Sequence, residues 1–152
     1  MRTMDLDSSQ APSAELPLFL HWEKAVCWLL GKTAKFPKNV RFTFTVRIEN
    51  VALEILEEII AARYARARLV HLERISADLD KLRILLRLCD QLGHLDHRGY
   101  ERAMLWIAEA GRMTGGWRRH ELGLPGQGGE GSRRADARSR GRAVLASGGG
   151  EP

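Results

Sequence analysis

One run of seven apolar residues sets the strongest constraint in this sequence. Leu69, Leu72, Ile75, Leu79, Leu82, Leu86 and Cys89 recur at steps of three and four without a break. That spacing places them on one face of an α-helix. A lone amphipathic helix is marginal in water and owes its stability to packing. The rest of the chain must therefore supply further helical faces for this one to pack against.

Two other segments do so plainly. Between Leu16 and Lys35, the residues Leu18, Trp22, Ala25 and Leu29 repeat at 4, 3, 4, with Phe19, Val26 and Leu30 alongside. This is a wide apolar face, and Lys32 and Lys35 fall near its C-terminus, where the helix dipole favours cations. The central helix runs from about Arg66 to Leu92, with Gly93 as its stop. A last segment opens at Asp96, a good N-cap, with Leu95 as a staple residue. Tyr100, Met104, Ile107, Gly111 and Trp117 follow on or near one face. Gly111 and Gly115, four apart, would allow a close helix crossing at a cost in helix propensity. On the first helix, Trp22 and Trp28 stand about 240° apart. They do not share a narrow seam, so one of them is expected at a subunit interface; a broad intramolecular core is the alternative.

The remaining segment is locally ambiguous. Val40 to Ile48 alternates strictly and is rich in β-branched and aromatic residues, as a strand would be. Downstream, Ile48, Val51, Ile55, Ile59 and Ala62 hold one helical face. A helix entering near Asn39, after Pro37, would put Phe44, Ile48, Val51 and Ile55 on one stripe. Local propensity does not choose between the two. With a helix here, four amphipathic helices joined by short connections give an all-α, antiparallel four-helix bundle.

Composition divides the 152 residues into one domain with two polar flanks. Residues 1–15 are expected to be a flexible N-terminus and residues 16–118 the bundle. Residues 119–152, rich in Gly and Arg, are expected to be disordered, because they carry too little apolar surface to offset ordering entropy. An apolar fraction of 44% excludes a wholly disordered chain. The apolar runs, Val26 to Leu30 among the longest, fall far short of the roughly 20 residues of a membrane span. Met1 to Gln10 carries charges and no apolar run, so no secretory leader is read. Two cysteines make no disulfide framework, and a cytoplasmic location is expected.

Catalytic signatures are missing. There is no P-loop, Gly-x-Ser-x-Gly, His-Glu-x-x-His or Cys-x-x-Cys, so no enzyme and no cofactor are expected. Cys89, His94 and His97 lie close in sequence, but structural zinc wants four ligands. Cys89 also continues the apolar stripe, which makes it a core thiol. No metal site is expected.

At Phe36-Pro37-Lys38, Arg47-Ile48-Glu49-Asn50, Leu82 to Leu88, and Ile107-Ala-Glu-Ala-Gly-Arg-Met-Thr-Gly-Gly-Trp117, the sequence resembles the accessory variability determinant (Avd) proteins of diversity-generating retroelements. It is similar, more distantly, to the four-helix-bundle proteins encoded in ribosomal RNA intervening sequences. The resemblance covers roughly residues 16–118. It implies a homopentameric barrel of four-helix bundles, and it makes the alternating segment helical. It implies a reverse transcriptase partner with template RNA and cDNA bound alongside, in support of mutagenic reverse transcription. The tail beyond Trp117 departs from the family pattern.

The net charge of +5 is carried mainly by arginine, 19 of 24 basic residues. Arginine suits bidentate phosphate contact, although genome composition also raises its use. Three groups are candidate nucleic-acid or partner contacts. Lys35, Lys38 and Arg41 precede the second helix. Arg63, Arg66, Arg68 and Arg74, with His71, surround the second turn, where a solvated helix end is the plain alternative. Arg83 and Arg87 share a helical face, and Arg112, Arg118 and Arg119 lie on the last helix and just beyond it. Arg83 and Arg112 have an equally good structural reading: with Glu49 and Glu109 they would form ion pairs among helices that fix the bundle register, and Glu109 and Arg112, three apart, could pair within one helix. Tail arginines Arg133, Arg134, Arg138, Arg140 and Arg142 form a non-specific arm or a neutral extension. Two other functions compete: a basic bundle of the ribosomal intervening-sequence type, and a structural oligomeric adaptor with no polymerase partner. Neighbouring genes and co-purification with a reverse transcriptase discriminate among the three.

Overall fold

The computed structural model describes residues 15–125, and the expectations for the rest of both flanks lie outside them. Four α-helices make up the described residues, with no strand among them: α1 Glu15–Thr33, α2 Val46–Tyr64, α3 Arg68–Gln91 and α4 His97–Glu121. Helix α4 runs past residue 118, the boundary that composition suggested. Among the described residues no helix is long and apolar enough to cross a membrane.

The ambiguous segment is helical throughout. A single 3-10 turn, Lys38–Val40, leads into a π-helical turn, Arg41–Thr45, and then into α2. The apolar residues of the alternating run are divided by this winding. Val40 and Ile48 are buried, and Phe36 and Phe44 pack against the core. These four stand at spacing four, which winds onto one side of a helix. Phe42 and Val46, which a strand would place on the same face as Val40 and Phe44, are 83% and 36% exposed instead. Tertiary packing of the period-four set overrides local strand propensity.

Each helix packs on its neighbour in sequence, and α4 closes the ring on α1. The core takes Leu18, Trp22 and Leu29 from α1 and Ile48, Ile55 and Ile59 from α2. It takes Leu72, Ile75, Leu79, Leu82, Leu86 and Cys89 from α3, which leaves Leu69 alone of the diagnostic stripe partly exposed. Ile107 and Trp117 come from α4. The two tryptophans of α1 part as their helical angle requires. Trp22 is fully buried and donates Nε1–H to the Ala52 carbonyl at 2.9 Å. Trp28 stays partly exposed beneath the Lys32 ammonium, 5.5 Å from its ring centroid.

Two further polar links tie the first helix to its neighbours. Thr33 donates its hydroxyl to Glu49 at 2.6 Å, bridging the end of α1 to the start of α2. His21 donates Nε2–H to the carbonyl of Trp106 at 2.9 Å, bridging α1 to α4. Gly93 ends the third helix with φ 78°, a conformation that favours glycine.

The start of α4 is built differently from the expectation. Asp96 occupies the N-cap position but makes no side-chain cap hydrogen bond. Its carboxylate and the buried Leu95 instead fold over Gly99. A Cβ there would meet Asp96 Oδ1 at 2.6 Å and Leu95 Cδ1 at 2.9 Å. Among the described residues no other helix backbone comes close to Gly111 or Gly115. Above Gly111 lies the Arg83 guanidinium, and beside Gly115 lies Arg119 of the same helix.

Candidate nucleic-acid interface

Antiparallel winding sorts the candidate cations to the two ends and the waist of the bundle. At one pole lie the connection into α2 and the α3–α4 turn, brought together by the Phe44 and His94 rings at 6.0 Å. Lys35, Lys38 and Arg41 belong to this pole, and all three are exposed. At the other pole lie the α2–α3 turn, the start of α1 and the end of α4. There Phe19 and Tyr64 line a common groove, and Arg68 Nη1 donates to Glu121 at 3.3 Å.

The arginine cluster of the second pole is partly neutralised. Besides the Arg68–Glu121 pair, Glu58 takes two donors, His71 Nδ1–H at 2.6 Å and Arg74 Nη1–H at 3.4 Å. Arg118 lies 3.8 Å from Glu73. Sequence reading missed Glu58 and Glu121 as partners because each sits far along the chain from the residue it meets. Arg63 and Arg66 are exposed, and Arg63 stacks over the Tyr64 ring at 5.6 Å. Arg119 is partly buried along α4, beside Gly115 and Gly116.

Between the poles, Arg112 and Arg83 each pair with an acid of their own helix. Arg112 grips Glu109 within α4, its Nε and Nη2 donating at 2.9 and 2.5 Å. Hydrogen bonding to Arg112 holds the Glu109 carboxyl below its usual range and raises the Arg112 guanidinium in turn. Arg83 pairs with Asp80 of its own helix, and Glu49 accepts from Thr33, so among the described residues neither joins an ion pair between helices. Exposed ion pairs of this kind contribute little stability. Arg83 and Arg112 nevertheless share a groove of about 460 Å³ between α3 and α4, floored by Gly111. Arg87 is exposed and forms no ion pair with any described residue.

The histidine–cysteine trio is dispersed. Cys89 is fully buried, and burial pushes its thiol up to about 11. His94 packs on Phe44, while His97 is turned to Asp90 at 3.2 Å.

Several exposed groups escaped the sequence reading. Arg47 and Lys81 flank a groove of about 490 Å³ between α2 and α3, with Ile84 and Leu85 on its apolar wall. Lys81 is held by Asp78 at 2.7 Å, which raises its ammonium above the usual value. Phe42 and Tyr64, 83% and 76% exposed, stand among cations at opposite ends of the second helical segment. Their signal in the sequence was their position off the apolar stripe, which local alternation concealed for Phe42.

Comparison with known proteins adds one finding. The profile of the bAvd-like family matches residues 20–121, nearly all of the helical ring. No curated protein and no solved structure matches the chain.

Proposed function

The chain belongs to the bAvd-like family, and from that premise we propose that it is a non-catalytic, cytoplasmic accessory subunit of a diversity-generating retroelement. It binds the reverse transcriptase together with template RNA and cDNA, and so supports mutagenic reverse transcription. The observation that carries this reading is the coincidence of the family match with a bundle that presents cations at its surface which form no ion pair with another described residue. Lys35, Lys38, Arg41, Arg63, Arg66 and Arg87 are all exposed, on a chain of net charge +5. Such charges attract phosphate by releasing counterions, with little regard to sequence.

Assembly supplies the multiplication of these contacts. Leu53 and Ile60 on α2, Ile84 and Leu88 on α3, and Leu105 on α4 are 38–66% exposed. Apolar surface spread over three helices supports a homo-oligomer, proposed here as a pentamer, with the partly exposed Trp28 as a further interface residue. In a ring, every cationic group recurs in each subunit and the field adds. A multivalent basic scaffold raises the effective concentration of polymerase and template around each other.

Co-expression with the neighbouring reverse transcriptase tests this directly. The polymerase should co-purify with the protein, and sedimentation should give five copies of the 17.1 kDa chain. A stable monomer at micromolar concentration that leaves the polymerase behind would overturn the reading.

A further inference from the structure

The fold gives Phe42 nothing to do. It lies in the π-helical turn Arg41–Thr45, and 83% of its surface is open to water. Its sequence neighbours two and six residues away, Phe36, Val40, Phe44 and Ile48, account for the anchoring of this segment on the core. None of the grooves described above includes Phe42. An aromatic ring standing clear of the surface presents a flat face, whereas an anchor for a protein partner is normally one half of a knob-and-pocket fit.

The charge around it is one-sided. From Ala34 to Ile48 the chain has four cations, Lys35, Lys38, Arg41 and Arg47, and no acid. All four are exposed. Of the acidic residues in the adjoining elements, Glu49 accepts from Thr33 and Asp90 faces His97, while Asp96 is exposed beside Gly99. The site therefore pairs phosphate-binding cations with one free aromatic face. Bases in a single strand can splay out and stack on such a face, while bases inside a duplex are already stacked on one another.

We propose that Phe42 is a base-stacking platform for single-stranded nucleic acid, flanked by Lys38 and Arg41 as backbone contacts. This rests on the nucleic-acid reading above and adds to it a strand preference and a residue. One unstacked base lies on the ring while the neighbouring phosphates meet the cations. Contact with the base face gives no hydrogen-bond readout, so the preference is for strandedness and not for sequence.

The test measures affinities of the full-length protein for a labelled oligo(dT) strand of about 20 nucleotides and for a blunt duplex of the same length. Phe42→Ala is expected to weaken single-strand binding about tenfold and leave duplex binding unchanged. The salt dependence should keep its slope, because no charge is removed. Phe42→Leu, apolar but without a ring face, should behave like the alanine variant. Phe42→Trp should restore affinity, with its added indole fluorescence quenched by single strand alone. These two variants decide the matter should Phe42→Ala lose helicity. Single-strand affinity untouched by Phe42→Ala, an equal loss on duplex, or leucine serving as well as phenylalanine each overturns the proposal. So does loss of the polymerase with single-strand binding intact, which would make Phe42 a protein anchor. If the unaltered protein binds neither oligonucleotide at low salt, the nucleic-acid reading fails as well. If it binds both and Phe42 is indifferent, only the stacking role fails.

Discussion

The two cysteines give the sharpest residue-scale prediction. Cys27 is exposed on α1, and Cys89 is buried with its thiol pushed up to about 11. At pH 8 a thiol reagent should titrate one cysteine promptly and the second only in denaturant. Prompt reaction of both would contradict the packing of α3. The Glu109–Arg112 pair predicts a pH effect with a definite sign. Its carboxyl titrates below the usual value, so the stabilisation is complete above that value and is lost as pH falls through the depressed one. Solvent around the pair keeps its size small, and the readout is the carboxyl chemical shift of Glu109. In Arg112→Gln that shift should return to an ordinary titration. This pair was legible in the sequence because its partners stand three apart on one helix. The partner of Arg83 was not legible: Glu49 and Glu109 were the acids set beside it, whereas packing selects Asp80, three before it on the same helix. The pairing within α3 also predicts the fate of Arg83→Glu combined with Arg87→Glu. Neither guanidinium is internal, so circular dichroism and oligomer size should be unchanged while polymerase pull-down is lost.

Among the elements, the central helix could be read without ambiguity, because its stripe of leucines admits one period only. The entrance to α2 could not. Val40 to Ile48 satisfies a period of two, and the deciding fact is whether Phe36, Val40, Phe44 and Ile48 have a surface to meet, which only the assembled bundle supplies. The glycines of α4 separate in the same way. Gly99→Ala gains helix propensity but forces the buried Leu95 aside, so thermal unfolding should show a net loss of about 1 kcal/mol. Gly116→Ala has only the end of the Arg119 side chain near it, 3.9 Å from the new methyl. It should stabilise the subunit by about 0.5–1 kcal/mol. Should the same change break the oligomer, the open glycine face of α4 is where subunits approach closely.

At the scale of the whole molecule, the overall fold class could be read from the sequence, but the charge map could not. Sequence reading grouped Arg63, Arg66, Arg68 and Arg74 as one patch. In the folded chain Arg68 and Arg74 already serve Glu121 and Glu58, which arrive from other helices. Replacing all four by Ala should therefore flatten the log affinity against log salt plot by about two units, not four, given roughly one unit per freed phosphate contact. An unchanged slope would remove this pole from the binding surface. The closed ring has one more consequence, for chain connectivity. Phe19 beside Tyr64, and Arg68 bonded to Glu121, bring the beginning of α1 and the end of α4 to a single pole. The order in which the helices are strung is thus separable from how they pack. A circular permutant that joins Pro152 to Met1 and begins at the exposed Gly93 should fold to the same bundle. Its new ends would emerge beside Phe44 and His94, at the opposite pole from the start of α1 and the end of α4.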